Sequence, residues 1–90
     1  MEIVQTNTFQ KDLKRCKKRG YKEKKFLEVI EKIKLKKLEP KHRPHKWKSD
    51  LEGKKDVWEL HIKPDWLLLY RKDKDTLYLL RTGTHSDFGI

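Results

Sequence analysis

One cysteine, Cys16, is all that these 90 residues contain, so an internal disulfide is excluded and a reducing compartment is indicated. Long apolar runs are missing too. No stretch approaches the roughly 18 residues of a transmembrane helix, and the N-terminal residues lack the apolar segment of a secretory signal. The expectation is a cytoplasmic protein with no membrane partner. Hydrophobic residues are only 34% of the chain against 42% charged, yet they fall in periodic segments, which marks a folded chain. Residues 1–90 leave room for one domain with a modest core, because a chain of this size buries only about 60 to 65% of its unfolded surface.

Acidic residues are scarce where basic ones are dense. From Lys11 to Lys48 there are 17 Lys and Arg against 5 Asp and Glu, whereas from Ser49 to Ile90 the counts are 7 and 8. The formal charge of +10 therefore sits mainly on one half. Such asymmetry is the footprint of a polyanion partner and predicts strongly salt-dependent binding. RNA, DNA and anionic lipid all carry the required charge. Lipid ranks last, since the helices have no bulky apolar face left over once a core is covered. On charge alone, a solvated lysine-rich face with no partner stays open.

The hydrophobic periods lay out the elements. Glu2 to Thr6 reads as a short strand with Ile3 and Gln5 on one side and Val4 on the other. Asn7 or Thr8 can cap a first helix, in which Phe9, Leu13 and Cys16 form the apolar face, and Gly20 supplies a left-handed stop. A second helix begins near Lys22, with Phe26, Leu27, Ile30, Ile33 and Leu38 as its stripe and Pro40 as its end. Lys41 to Asp56 reads as a loop, with a short strand around Lys46 to Lys48. Three strands follow, Val57 to Ile62, Trp66 to Lys72 and Thr76 to Thr82, joined by connectors short enough for antiparallel hairpins. The fold class is α+β, a helical hairpin packed on a mainly antiparallel sheet of four or five strands.

Chemistry concentrates in the last thirty residues, in His61-Ile62-Lys63-Pro64-Asp65-Trp66-Leu67-Leu68-Leu69-Tyr70 and Arg81-Thr82-Gly83-Thr84-His85-Ser86-Asp87-Phe88. Two imidazoles, which titrate near neutrality, can deliver and remove protons around a phosphate, and an arginine beside them can hold it. Alternation puts His61 on the less apolar face of its strand and lets Arg81 emerge beside it if the strands are in register. Asp65 can orient an imidazole or hold it protonated. RNA cleavage by transesterification needs no more than these groups, because the substrate's own 2′-hydroxyl is the nucleophile. Each residue also has a plainer reading. His61 can be a half-buried packing residue, Arg81 a surface ion pair, and His42 a solvated loop residue, while Trp66 and Tyr70 read as core rather than as base platforms.

These two runs, from Glu59 to Tyr70 and from Arg81 to Asp87, resemble the YafQ branch of the RelE-like bacterial toxins, ribosome-dependent mRNA endoribonucleases, and the helical half extends the resemblance over essentially the whole chain. The resemblance implies that His61, Asp65, Arg81 and His85 are catalytic. It adds His45, since His45-Lys46-Trp47-Lys48-Ser49 takes the place of the family's H-x-L-x-G-like loop, with Trp for Leu and Ser for Gly. Lys46 and Lys48 then flank the substrate. Phe88 takes the place of the family's terminal aromatic, one position early, and aromatic stacking on a base is worth roughly 1 to 3 kcal/mol. The partners implied are mRNA in the ribosomal A site, an acidic antitoxin encoded next to the toxin, and operator DNA bound through the antitoxin complex.

A metal centre is the chemical rival. The four histidines come without a cysteine pair, without H-E-x-x-H and without a helical carboxylate at ligand spacing, so neither a metal nor another cofactor is expected. No serine or cysteine sits in an elbow-type turn either. With the resemblance, the function expected is a toxin mRNA interferase that works by metal-independent general acid–base transesterification and, as the resemblance implies, leaves a 2′,3′-cyclic phosphate. The alternative is a non-catalytic basic RNA- or DNA-binding module with structural histidines.

Overall fold

The computed structural model describes residues 1–47 and 56–88. Among these, β1 (Glu2–Gln5) leads into α1 (Asn7–Lys18) and α2 (Glu23–Leu35). A 3₁₀ turn at Pro40–His42 and a two-residue β2 (His45–Lys46) follow, then β3 (Trp58–Lys63), β4 (Trp66–Asp73), β5 (Thr76–Gly83) and a last 3₁₀ turn at Ser86–Phe88. The five strands form one sheet in the order β1-β5-β4-β3-β2, in which only β1 with β5 is parallel. The expected α+β fold, two helices on a mainly antiparallel sheet, is what forms.

Helix ends follow backbone geometry more than residue type. Thr6 caps α1, not Asn7 or Thr8: it keeps an extended backbone, accepts from Phe9 N–H at 3.0 Å, and donates its hydroxyl to Leu80 O across the sheet at 3.1 Å. The α1 stop is as expected, for Gly20 has φ +91°, and the N–H groups of Gly20 and Tyr21 close on the carbonyls of Lys17 and Cys16. The second helix ends earlier than Pro40. Lys36 adopts φ 56°, and Lys36 and Lys37 close the same paired bonds on Ile33 and Lys32 without a glycine, leaving Pro40 to open the 3₁₀ turn.

The core lies between the helices and one face of the sheet. Phe9, Leu13 and Cys16 of α1 and Phe26, Val29, Ile30 and Ile33 of α2 cover Leu60, Ile62, Trp66, Leu68, Tyr70, Leu77 and Leu79. Val29 takes the core place expected of Leu27, which is 53% exposed. Trp66 and Tyr70 are core residues, as expected. The opposite face carries a smaller cluster of Val57, Leu69 and Leu80, edged by Trp47, Tyr78 and Phe88. That second face carries the candidate site.

Candidate active site

Two rows of residues cross the second face. His45 pairs with Glu59, Glu59 with Leu69, and Leu69 with Arg81, while His61 pairs with Leu67 and Leu67 with Gly83. Residues two apart on a strand share a face, so the rows lie side by side. Arg81 reaches this face through an irregularity. The pairing skips Leu80, since Tyr70 opposes Leu79 and Leu69 opposes Arg81. Strict alternation, from which the sequence expectation brought Arg81 out beside His61, would instead have left it on the face of Leu77 and Leu79, beneath the helices. The extra residue reverses the phase.

Three imidazoles follow one another, His45 to His61 at 6.4 Å and His61 to His85 at 5.7 Å between ring centres. His61 Nδ1 lies 3.2 Å from Pro64 O, a contact in which the ring must donate, and its Nε2 lies 4.0 Å from Glu59. A ring held this way turns a basic nitrogen toward the site when neutral. His45 Nδ1 lies 2.7 Å from Arg43 O and its Nε2 2.7 Å from Glu59 Oε1, so one proton occupies the second contact, on the ring or on the carboxyl. Glu59 is only 5% exposed. It is a buried carboxylate between two imidazoles.

Asp65 orients His85, across 20 residues of chain, with Nδ1 at 2.8 Å and the His85 backbone N–H at 3.3 Å from Oδ1. These bonds hold the Asp65 carboxyl below the usual carboxylate range. They also fix the His85 tautomer with Nε2 left for a substrate. The turn that carries His85 is tied down by Asp87, which accepts from Thr84 N–H at 2.9 Å and from both Nη atoms of Arg19 at 2.8 and 3.0 Å. Arg19 pushes the Asp87 carboxyl far below its ordinary value. A Cβ on Gly83 would stand 2.6 Å from that carboxylate, so the approach requires glycine there.

Arg81 stands over the Phe88 ring at 5.3 Å, and Phe88 meets Trp47 edge-on at 6.2 Å. Its Nε donates to Asp12 Oδ2 at 2.6 Å. The expectation of a surface ion pair is thus half met, since an ion pair exists but its carboxylate is 2% exposed, under α1.

The structure therefore joins His45, His61, His85 and Asp65 through successive contacts, and places Arg81, stacked on Phe88, on the same face of the sheet. Lys46 is not among them, for it alternates away from His45 and has Nζ 3.3 Å from Asp56. Lys48 lies outside the described residues. His42 is not a solvated loop residue. It is 3% exposed, accepts the Glu39 N–H on Nδ1 at 3.0 Å, and is pushed below its ordinary value by burial and then by Lys32. Cys16 is buried in the core, and burial pushes its thiol up, away from nucleophilic use. Burial likewise pushes the Tyr70 hydroxyl up to about 12. Among the described residues no three metal-capable side chains form a ligand group.

Glu59 and Asp12 escaped the sequence reading, though each left a signal. Glu59 is two residues from His61 in a strand and so must share its face. Asp12 falls on the stripe of Phe9, Leu13 and Cys16, where a carboxylate has no reason to be unless something inside binds it.

Comparison with known proteins agrees with this architecture. Residues 1–89 match the family described as the bacterial toxin of type II toxin–antitoxin systems, YafQ. The mRNA interferase toxin YafQ of Escherichia coli (strain B / BL21-DE3) is 30% identical over 88 residues, 94% of this chain and 91% of that protein. A metal-bound toxin from Helicobacter pylori is 38% identical with a TM-score of 0.85 and 97% of each chain covered. The E. coli DinJ–YafQ complex contains a chain 27% identical, TM-score 0.82, with 96% of this chain and 94% of that one covered. The class is thus that of bacterial toxins from type II toxin–antitoxin systems. Within that class, the chain belongs to the YafQ family. The sequence expectation of a toxin enzyme of the mRNA-interferase kind agrees with that membership.

Proposed function

We propose that this protein cleaves mRNA in the ribosomal A site by metal-independent acid–base transesterification. The observation that carries the reading is the set of His45, His61 and His85 with Arg81 on one sheet face, with Glu59 between the first two imidazoles and Asp65 holding the third. One of His61 and His85 takes the proton of the 2′-hydroxyl as its oxygen attacks phosphorus. The other gives a proton to the departing 5′-oxygen, which leaves a 2′,3′-cyclic phosphate. Each such transfer is worth about 10²- to 10⁴-fold. Arg81 meets the charge that builds on the phosphorane, Asp65 holds His85, and Phe88 stacks on a base beside the scissile bond.

The partners follow from charge and kinship. A relative crystallised as the DinJ–YafQ complex supports an antitoxin partner; the charge of +10 calls for an acidic one on the basic surface, and the pair would bind operator DNA. The protein works in the cytoplasm; no described helix is long and apolar enough to cross a membrane. The test is cleavage of mRNA on programmed ribosomes kept in the magnesium they need, by protein first stripped of bound metal with excess chelator. A 2′,3′-cyclic end formed undiminished after stripping supports the reading. Loss of cleavage on stripping rejects the metal-free mechanism, and binding without any cleavage returns the chain to a basic binding module.

A further inference from the structure

We propose that Asp12 is a positioning residue for Arg81, so that the packing of α1, and not the strand alone, sets where the site's cation stands. The inference rests on the reading of Arg81 as the group that meets the reacting phosphate.

Asp12 is buried where the helix pattern would suit an apolar side chain. A buried carboxylate is tolerated only when donors surround it. Four do so: Arg81 Nε at 2.6 Å, Arg81 Nη2 at 3.3 Å, Arg15 Nη2 at 3.1 Å and the Thr82 backbone N–H at 3.3 Å. Two consecutive residues of β5 are thus gripped immediately after the skipped Leu80, at the place where the strand changes phase. Bulges loosen the ladder, and this one is fastened from the helix side. Thr82 completes the lock, since its hydroxyl donates to Leu67 O at 2.7 Å and accepts from Trp66 Nε1 at 2.7 Å.

The geometry has a consequence for the guanidinium. Two donors of one edge are fixed on Asp12, and the plane lies over Phe88. An arginine on a flexible stem becomes a cation with a set direction. Arg15 extends the same grip, because its Nη2 also lies 3.7 Å from Asp87, the carboxylate that ties down the His85 turn. A buried ion pair adds little net stability over an apolar residue of similar size, whereas a displacement of about 1 Å at a reacting centre can cost about 10²-fold in rate. Placement is therefore the effect for which the pair is suited.

The test is a cycle of Asp12→Asn, Arg81→Lys and the double variant, each assayed on ribosome-bound mRNA alongside a melting curve. Expected is an Asp12→Asn protein folded at the assay temperature, with KM within about threefold of the parent and kcat lower by about tenfold. In the Arg81→Lys background the same change should cost less than about twofold. Equal losses in both backgrounds overturn the proposal, since a general structural role acts through no particular partner. So does parent-like kcat for Asp12→Asn while Arg81→Ala loses turnover, a result that leaves Arg81 catalytic. Parent-like cleavage by Arg81→Ala removes both the reading and the proposal. If Asp12→Asn does not fold, the Nε–H signal of Arg81 in the parent protein decides: slow solvent exchange supports a fixed guanidinium, and fast exchange overturns it.

Discussion

Removing Arg81 should have two separable effects whose sizes follow from its contacts. In Arg81→Ala the buried Asp12 loses two of its four donors, those at 2.6 and 3.3 Å, and keeps Arg15 and the Thr82 N–H. Charged hydrogen bonds are worth about 1.5 to 3 kcal/mol each, but water replaces part of what is lost because the Arg81 side chain is about one quarter exposed. A net loss of about 2 to 3 kcal/mol results, which for a domain of this size lowers the melting temperature by roughly 10 to 20 °C. The catalytic effect is independent. Loss of one pre-organised charge-stabilising group costs about 10²- to 10³-fold in kcat. Arg81→Lys keeps the charge as a single point without the paired edge, so substrate binding should survive while kcat falls by an intermediate factor and melting drops about half as far. Circular dichroism melts and single-turnover cleavage of ribosome-bound mRNA, read below the lowest melting temperature, measure both. A folded Arg81→Ala protein that cleaves like the parent refutes the catalytic part, and an unchanged melting curve refutes the structural part.

His61→Ala and His85→Ala should each cut cleavage at least about 10²-fold at temperatures where the variants stay folded, and loss of activity only through a lost thermal transition would return both to structural roles. Reversing Lys14, Lys18 and Lys24 to glutamate should weaken ribosome binding broadly and flatten its dependence on salt without moving the cleavage site; an unchanged salt slope would make that helix surface merely solvated. Burial holds His42 below its ordinary value near 6.5, so the unfolded chain takes up the proton first as pH falls. The contribution of His42 is therefore complete above about pH 6.5 and lost below it. Urea midpoints should fall from pH 7 to pH 5 more steeply in the parent than in His42→Gln, and equal slopes would contradict the burial argument. Lys36→Gly should raise stability by up to about 1 kcal/mol, because the left-handed conformation at the end of α2 disfavours a side chain. A destabilised glycine variant would show that Lys36 contributes by another contact.

Much of the candidate site was legible in the sequence because its motifs are local. His61 and Asp65 flank one hairpin, and Arg81 and His85 lie at the end of one strand, so chemistry-bearing residues were already gathered in two short runs. The misreadings share a cause. His42 looked solvated because a loop sequence does not announce that Glu39 N–H will turn back onto its ring, and Lys46 was grouped with His45 although neighbours in a strand face opposite sides. Leu27 was placed in the core by a stripe that a small rotation of α2 gives to Val29 instead.

Hydrophobic period, glycine and turn residues acted over a few residues, and by themselves they determined two helices, three hairpin strands and the left-handed stop at Gly20. What only the tertiary structure decided is which groups meet. Asp65 finds His85 across 20 residues, Asp12 finds Arg81 across 69, and Glu59 comes between His45 and His61 through strand pairing. Whether Arg81 faces the helices or the site depends on a single skipped residue in the β4–β5 pairing. The physical reason is that propensity and periodicity are properties of neighbouring residues, whereas register, burial and the compensation of a buried charge are fixed only when distant segments compete for the same partners.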